Sequence, residues 1–260
     1  MHAQKHRIAA VVFDLEGTLV RHIPRQAKIV EESFRSAGRP LRFKVRNLYH
    51  IRSLPTFHDK SSFFRALLAL HKSKLKPSQM RAAKPSIVQR ELSKATSQLT
   101  SKDETLVKAA VDFYSECRKR PNLFADLQTP IKGAAELLAF LHKKRVKTAL
   151  VANANELQTM SLCKRFNFTF DAVISGEQVE REKPAPDGLL LALNRLSVEP
   201  QKAMAVDDSI AGIEAAKGAG FKSVVGVLSG STTSSLFRQS KIKPDVIVKD
   251  VSVIKERYFE

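Results

Sequence analysis

Ile8-Ala9-Ala10-Val11-Val12-Phe13-Asp14-Leu15-Glu16-Gly17-Thr18-Leu19 is the stretch on which the reading of the fold turns. Its six leading apolar residues carry no polar alternation, so they predict a strand buried on both faces, and Asp14 to Gly17 predict the sharp turn that ends it. A strand covered on both faces requires helices above and below it. That arrangement is built from parallel β-α-β units.

Outward from this strand, the rest of the chain divides into two kinds of sequence. Ile29, Val30 and Phe34 fall at helical spacing within Gln26 to Ala37, with Gly38 as a stop. Residues 39–102 are polar and basic. Here helices are expected at about 60–72 and 104–119, and the stretch between them, broken by Pro77 and Pro85, is expected to order only with a partner. Beyond Pro130 the pattern becomes regular. Helices are predicted at Lys132–His142, Glu156–Arg165, Gly188–Leu196 and Ile210–Ala219, and strands at Thr148–Ala152, Ala172–Ser175, Ala203–Val206, Ser223–Val227 and Val246–Val248. The fold class is therefore α/β, a doubly wound parallel sheet formed by residues 1–19 and 129–260, with a mainly helical insertion over residues 20–128.

Charge follows the same division. The chain has 44 Lys and Arg against 26 Asp and Glu, a net charge of +18. Residues 1–18 hold two of each sign, residues 19–120 hold 23 basic and 8 acidic, and residues 121–260 hold 19 and 16, so +15 of the excess lies in residues 19–120. An excess concentrated in this way implies a polyanionic partner, RNA or a ribonucleoprotein assembly. Lys72, Lys74, Lys76, Arg81 and Lys84 form the run with the fewest apolar residues and are the candidate RNA contacts. Phe43, Tyr49 and Phe57 interleave with Arg42, Lys44, Arg46 and Arg52, which suits either base stacking or simple burial of the aromatics.

Some classes are excluded. No apolar run reaches the roughly 18 residues of a membrane span, so no membrane partner is expected. Cys117 and Cys163 lack the spacing of a disulfide framework or zinc site, which fits a reducing compartment. Met1 to Arg7 is too short and polar for a secretory signal. The expected location is intracellular, in a mitochondrion or other organelle, with the cytoplasm as the alternative.

In a doubly wound sheet, chemistry sits beyond the carboxyl ends of the strands. Four ends carry suitable residues: Asp14-Leu15-Glu16-Gly17-Thr18-Leu19; Val151-Ala152-Asn153; Lys183-Pro184-Ala185-Pro186-Asp187; and Asp207-Asp208-Ser209 with Gly212-Ile213 and Ala215-Ala216 after it. In order and placement these resemble the four motifs of the haloacid dehalogenase superfamily, most closely its phosphoglycolate phosphatase and β-phosphoglucomutase-like branch. The resemblance implies that Asp14 is a nucleophile forming an aspartyl-phosphate, that Glu16 is the acid/base, and that Lys183 holds nucleophile and phosphoryl oxygens. It further implies Mg²⁺ on Asp14, Asp208 and the Glu16 carbonyl, Asp207 behind them, and phosphoryl binding at Ala152 and Asn153. The insertion occupies the slot of the family's cap domain.

Two positions depart from the family pattern. Glu16 stands where Asp is usual, and its extra methylene displaces the carboxyl. Ala152 stands where a Ser or Thr hydroxyl normally donates to the phosphoryl group, a donor whose loss costs about 10²-fold to 10³-fold in rate; Asn153 could compensate through its amide. Two functions follow. One is a pseudoenzyme-like subunit of a ribonucleoprotein, such as a mitochondrial ribosome, with a weakened phosphatase site. The alternative is an active Mg²⁺-dependent phosphatase on a small phosphorylated metabolite.

Overall fold

The computed structural model describes residues 8–44, 48, 51, 54–57, 59–73 and 84–260. They form two compact units, one from the described residues up to 21 together with 129–260, the other from those between 22 and 128.

The first unit is built on strands β1 (Ala10–Phe13), β2 (Val20–Arg21), β3 (Thr129–Pro130), β4 (Lys147–Val151), β5 (Ala172–Ile174), β6 (Ala203–Asp207), β7 (Ser223–Val227) and β8 (Val246–Val248). Six of them make one sheet in the order β5-β4-β1-β6-β7-β8, and every pairing in it is parallel. β1 lies at the centre. Phe13 pairs with Leu150 of β4 and with Val206 of β6, so Val11 and Phe13 face one apolar cluster while Ala10 and Val12 face another. Burial on both faces explains why β1 carries no polar residue. The remaining two strands form a separate antiparallel pair, Val20 opposite Pro130 and Arg21 opposite Thr129. Nothing in the sequence marked this pair, since two residues per strand give no periodicity.

In the second unit the helices are α1 (Ile23–Ser36), α2 (Lys60–Lys72), α3 (Pro85–Thr96) and α4 (Ser101–Arg118). α1 packs on α4, and α2 packs on both α3 and α4. Phe34, Phe63, Phe64 and Tyr114 meet in the middle, with Phe34 and Phe64 ring centroids 5.2 Å apart. Caps fix the helix starts. Asp59 accepts the Ser62 N–H at 2.9 Å, and Thr100 and Asp103 form a reciprocal capping box on α4. The stretch before α4 corrects the sequence reading: α3 is an ordered helix whose Val88 and Leu92 are buried. Pro85 does not break this stretch: it occupies the first turn of α3, where the missing N–H costs nothing.

The first unit also contains α5 (Ala134–Lys143), α6 (Glu156–Phe166), α7 (Asp187–Leu196), α8 (Ile210–Gly218), α9 (Ser234–Gln239) and α10 (Ile254–Tyr258). The last two are short and were not expected. Cys117 and Cys163 are buried and unpaired with each other, and burial pushes the Cys163 thiol up to about 11. Among the described residues, no helix is long and apolar enough to cross a membrane.

Candidate active site

A parallel sheet delivers all its strand ends to one edge. Asp14 leaves β1 with its N–H on Val206 O, and Asp207 closes β6 with Asp208 next in line. Lys183 comes from the connection between β5 and α7. Its side chain is only 6% exposed, and its Nζ donates to Asp14 Oδ1 at 2.9 Å, Asp207 Oδ2 at 2.8 Å and Val151 O at 2.7 Å. All three ammonium hydrogens are therefore used.

The carboxylates differ in how they are held. Asp207 Oδ1 accepts from Ser209 N at 2.9 Å and Ser209 Oγ at 2.7 Å, so both of its oxygens are engaged. Gly212 in the first turn of α8 leaves the room Asp207 fills; a Cβ there would lie 1.9 Å from the Asp207 Cγ. This close approach is the physical content of the Asp-Asp-Ser-x-x-Gly pattern. Asp208 Oδ2 accepts from Ser231 N at 2.8 Å. Asp14, Asp207 and Asp208 each offer an oxygen, and these oxygens lie within 4.8 Å of one another.

With all three carboxylates ionised, one ammonium would leave the site a charge of −2. Burial pushes the Asp14 carboxyl up to about 7, with Lys183 pulling down and the charges of Asp207 and Glu16 adding to the rise. Asp208 is raised well above the ordinary carboxylate range, first by burial and then by Asp14 and Asp207. Burial alone would lower the Lys183 ammonium; Asp14 and Asp207 outweigh it and hold it above its usual range. A crowded set of hard oxygens with a deficit of two positive charges fits a divalent cation of the Mg²⁺ kind.

A pH dependence follows. The Asp14 carboxyl is raised from 3.8 to about 7, so between those values the folded chain holds a proton that the unfolded chain has lost. Stability of the metal-free protein therefore declines as pH rises through that window, and Mg²⁺ reverses the decline. At Mg²⁺ about 100-fold above its dissociation constant, the melting temperature at pH 8 is expected to rise by about 5–10 °C. The gain at pH 5.5 should be less than half of that. Thermal melts at both pH values, with Mg²⁺ and with a chelator, check this; equal gains would refute it.

Glu16 does not join the carboxylate trio through its side chain. Gln158, buried on the first turn of α6, donates from Nε2 to Glu16 Oε1 at 2.8 Å. Gln158 was missed, because a polar residue early in a helix carries no signal of what it will meet. The two phosphoryl positions are also clarified. Ala152 gives its N–H to Ile174 O and buries its methyl group, and the Asn153 amide is committed to the Lys183 backbone, donating to its O at 3.2 Å and accepting from its N at 3.3 Å. The Asn153 side chain thus shapes the Lys183 loop, with one of its two amide hydrogens used in doing so.

The basic residues of the helical unit are scattered in role. Lys72 lies 2.5 Å from Asp103 Oδ2 and helps hold that carboxyl at about 2, so it supports the start of α4. Lys84 is exposed at the start of α3. Lys74, Lys76 and Arg81 lie outside the described residues, as do Arg46, Tyr49 and Arg52. Phe43 packs 5.7 Å from Phe34 and Phe57 is buried, so both aromatics contribute to the core of the helical unit.

Comparison with known proteins agrees with this geometry. A family model described as haloacid dehalogenase-like hydrolase matches residues 8–220. The chain is 32% identical over 144 residues to the phosphorylated carbohydrates phosphatase of Thermotoga maritima, covering 53% of this chain and 65% of that protein. It is 35% identical over 124 residues to the phosphoglycolate phosphatase of Escherichia coli K12, covering 45% and 46%. The matched region thus spans less than two thirds of these relatives. Among solved structures it resembles CbbY from Rhodobacter sphaeroides in complex with phosphate, with 22% identity, TM-score 0.57 and coverage of 94% and 95%. It also resembles a subfamily IA hydrolase from Geobacter sulfurreducens, with 20% identity, TM-score 0.58 and coverage of 96% and 95%. With a family model matched over most of its length and the acidic trio, lysine and sheet order in place, the chain belongs to the haloacid dehalogenase-like hydrolases.

Proposed function

We propose that the protein is a slow Mg²⁺-dependent phosphatase acting on a small phosphorylated metabolite. The observation that carries this reading is the Lys183 ammonium shared between Asp14 and Asp207 beside Asp208, which leaves the site short of two positive charges. Mg²⁺ held by Asp14, Asp208 and the Glu16 carbonyl would neutralise phosphoryl oxygens. Lys183 fixes the Asp14 carboxylate so that an oxygen attacks phosphorus as the ester P–O bond breaks. Glu16 gives its proton to the leaving oxygen, then takes one from the water that cleaves the aspartyl-phosphate and frees phosphate.

The helical unit acts as the cap in this reading. Its 22 basic and 9 acidic residues over 22–128 give +13, a field that draws in anionic substrates. An RNA-contacting subunit is less well supported. The relatives named above are phosphatases and hydrolases, and Lys72 already serves the helix start.

The test is hydrolysis of p-nitrophenyl phosphate and of phosphorylated sugars with Mg²⁺ or chelator present. Slow, Mg²⁺-dependent turnover is expected. Ala152→Thr, which returns a hydroxyl to the end of β4, should raise the rate by at least about ten-fold. No Mg²⁺-dependent turnover in either protein would end the phosphatase reading.

A further inference from the structure

The loop after β7, Leu228 to Thr233, reaches the acidic trio without contributing a ligand to it. Ser231 N donates to Asp208 Oδ2 at 2.8 Å, and Ser231 Oγ lies 3.4 Å from the same oxygen. Ser229 Oγ donates to Gly17 O at 2.7 Å, which ties this loop to the turn that follows Asp14. Between these two contacts stands Gly230. A Cβ on Gly230 would lie 1.7 Å from Asp208 Oδ2 and 2.1 Å from its Cγ.

Gly230 is not needed for backbone freedom. The glycines with positive φ are Gly17, Gly38, Gly133 and Gly220, so Gly230 does not take the left-handed conformation that favours glycine. Its lack of a side chain makes room for one carboxylate. Gly17 does the same from the other loop, its Cβ position lying 2.5 Å from the Asp208 Cγ. One carboxylate is thus seated where two loops leave space, oriented by a backbone N–H, and the loops are joined by a hydroxyl.

We propose that Leu228–Thr233 is a positioning clamp for the metal ligand Asp208, in which Gly230 leaves room for the carboxylate, the Ser231 N–H sets its orientation, and Ser229 locks the clamp to the Asp14 loop. This rests on the Mg²⁺ site proposed above. Groups that orient a ligand without touching the metal govern affinity because they fix the ligand before the metal arrives; their loss typically costs about 10–100-fold in metal affinity. The clamp acts through its backbone at Ser231 and through its hydroxyl at Ser229.

The experiment is calorimetric titration of the full chain with MgCl₂, paired with thermal melts. Gly230→Ala should weaken Mg²⁺ binding by about 10–100-fold. Ser229→Ala, which cannot clash, should weaken it by about 2–10-fold, the effect of one hydrogen bond. Ser231→Ala keeps the N–H and should bind within about two-fold of the parent. Adding Asp208→Gly to Gly230→Ala removes the carboxylate and the Cβ, 2.5 Å away, that the new methyl group would meet, so any loss of melting temperature should be recovered while Mg²⁺ binding is not. Gly230→Ala and Ser229→Ala both binding like the parent would overturn the clamp, as would a melting temperature left unrestored in the double variant. A parent protein that binds no Mg²⁺ would overturn the clamp and the metal site together.

Discussion

Lys183→Met is expected to destabilise the metal-free protein at pH 8 by about 3–5 kcal/mol, because it removes one member of a buried charge network and strands the others. The ammonium is the shared partner of Asp14, Asp207 and Val151 O, and a methionine of similar reach answers none of them. Melting should fall by roughly 10 °C. The loss should shrink at pH 5.5, where the Asp14 carboxyl, raised to about 7, takes up a proton and no longer needs the cation. Urea unfolding at the two pH values measures this directly. A loss below about 1 kcal/mol would mean that the network is far better hydrated than its burial indicates.

Asp14→Asn should have the opposite effect on stability and the largest effect on chemistry. Removing a nucleophile typically costs about 10⁴-fold or more, so hydrolysis should fall to background. The amide lacks the charge that burial, Asp207 and Glu16 disfavour, so melting without Mg²⁺ at pH 8 should hold level or rise. The rise on adding Mg²⁺ should vanish with the ligand. Parallel hydrolysis assays and melts would show loss of rate with no loss of fold; a variant that hydrolyses at the parent rate would remove Asp14 from the chemistry.

These two variants probe residues that were readable from the sequence, and the reason is physical. Asp14, Asp207 and Asp208 follow apolar strands, and a carboxylate in that position has few purposes besides the site. Lys183 was readable through its neighbours Pro184, Pro186 and Asp187. By contrast, Gln158 and the Leu228–Thr233 loop became visible only once chain segments far apart in sequence had been brought together. Ser229, Gly230 and Ser231 look like any polar turn until Asp208 is found against them. The helix α3 was hidden for another reason. Its two buried residues, Val88 and Leu92, are too few to stand out in a basic background, and packing against α2 makes up the difference. For the basic insertion, formal charge does not distinguish a cation such as Lys72, which serves a helix start, from one that faces solvent.

The small ladder of β2 and β3 has an architectural consequence. Arg21 and Thr129 are Cα partners, so the chain leaves the sheet unit and comes back to it at adjacent points. The chain passes between the two units at Arg21–His22 and at Gln128–Thr129. Such an attachment makes the insertion a replaceable module: its length and surface can drift or be exchanged while the ladder keeps its hydrogen bonds and the strand ends keep their register. Selection can then rewrite what such a protein recognises without touching the residues that carry its chemistry.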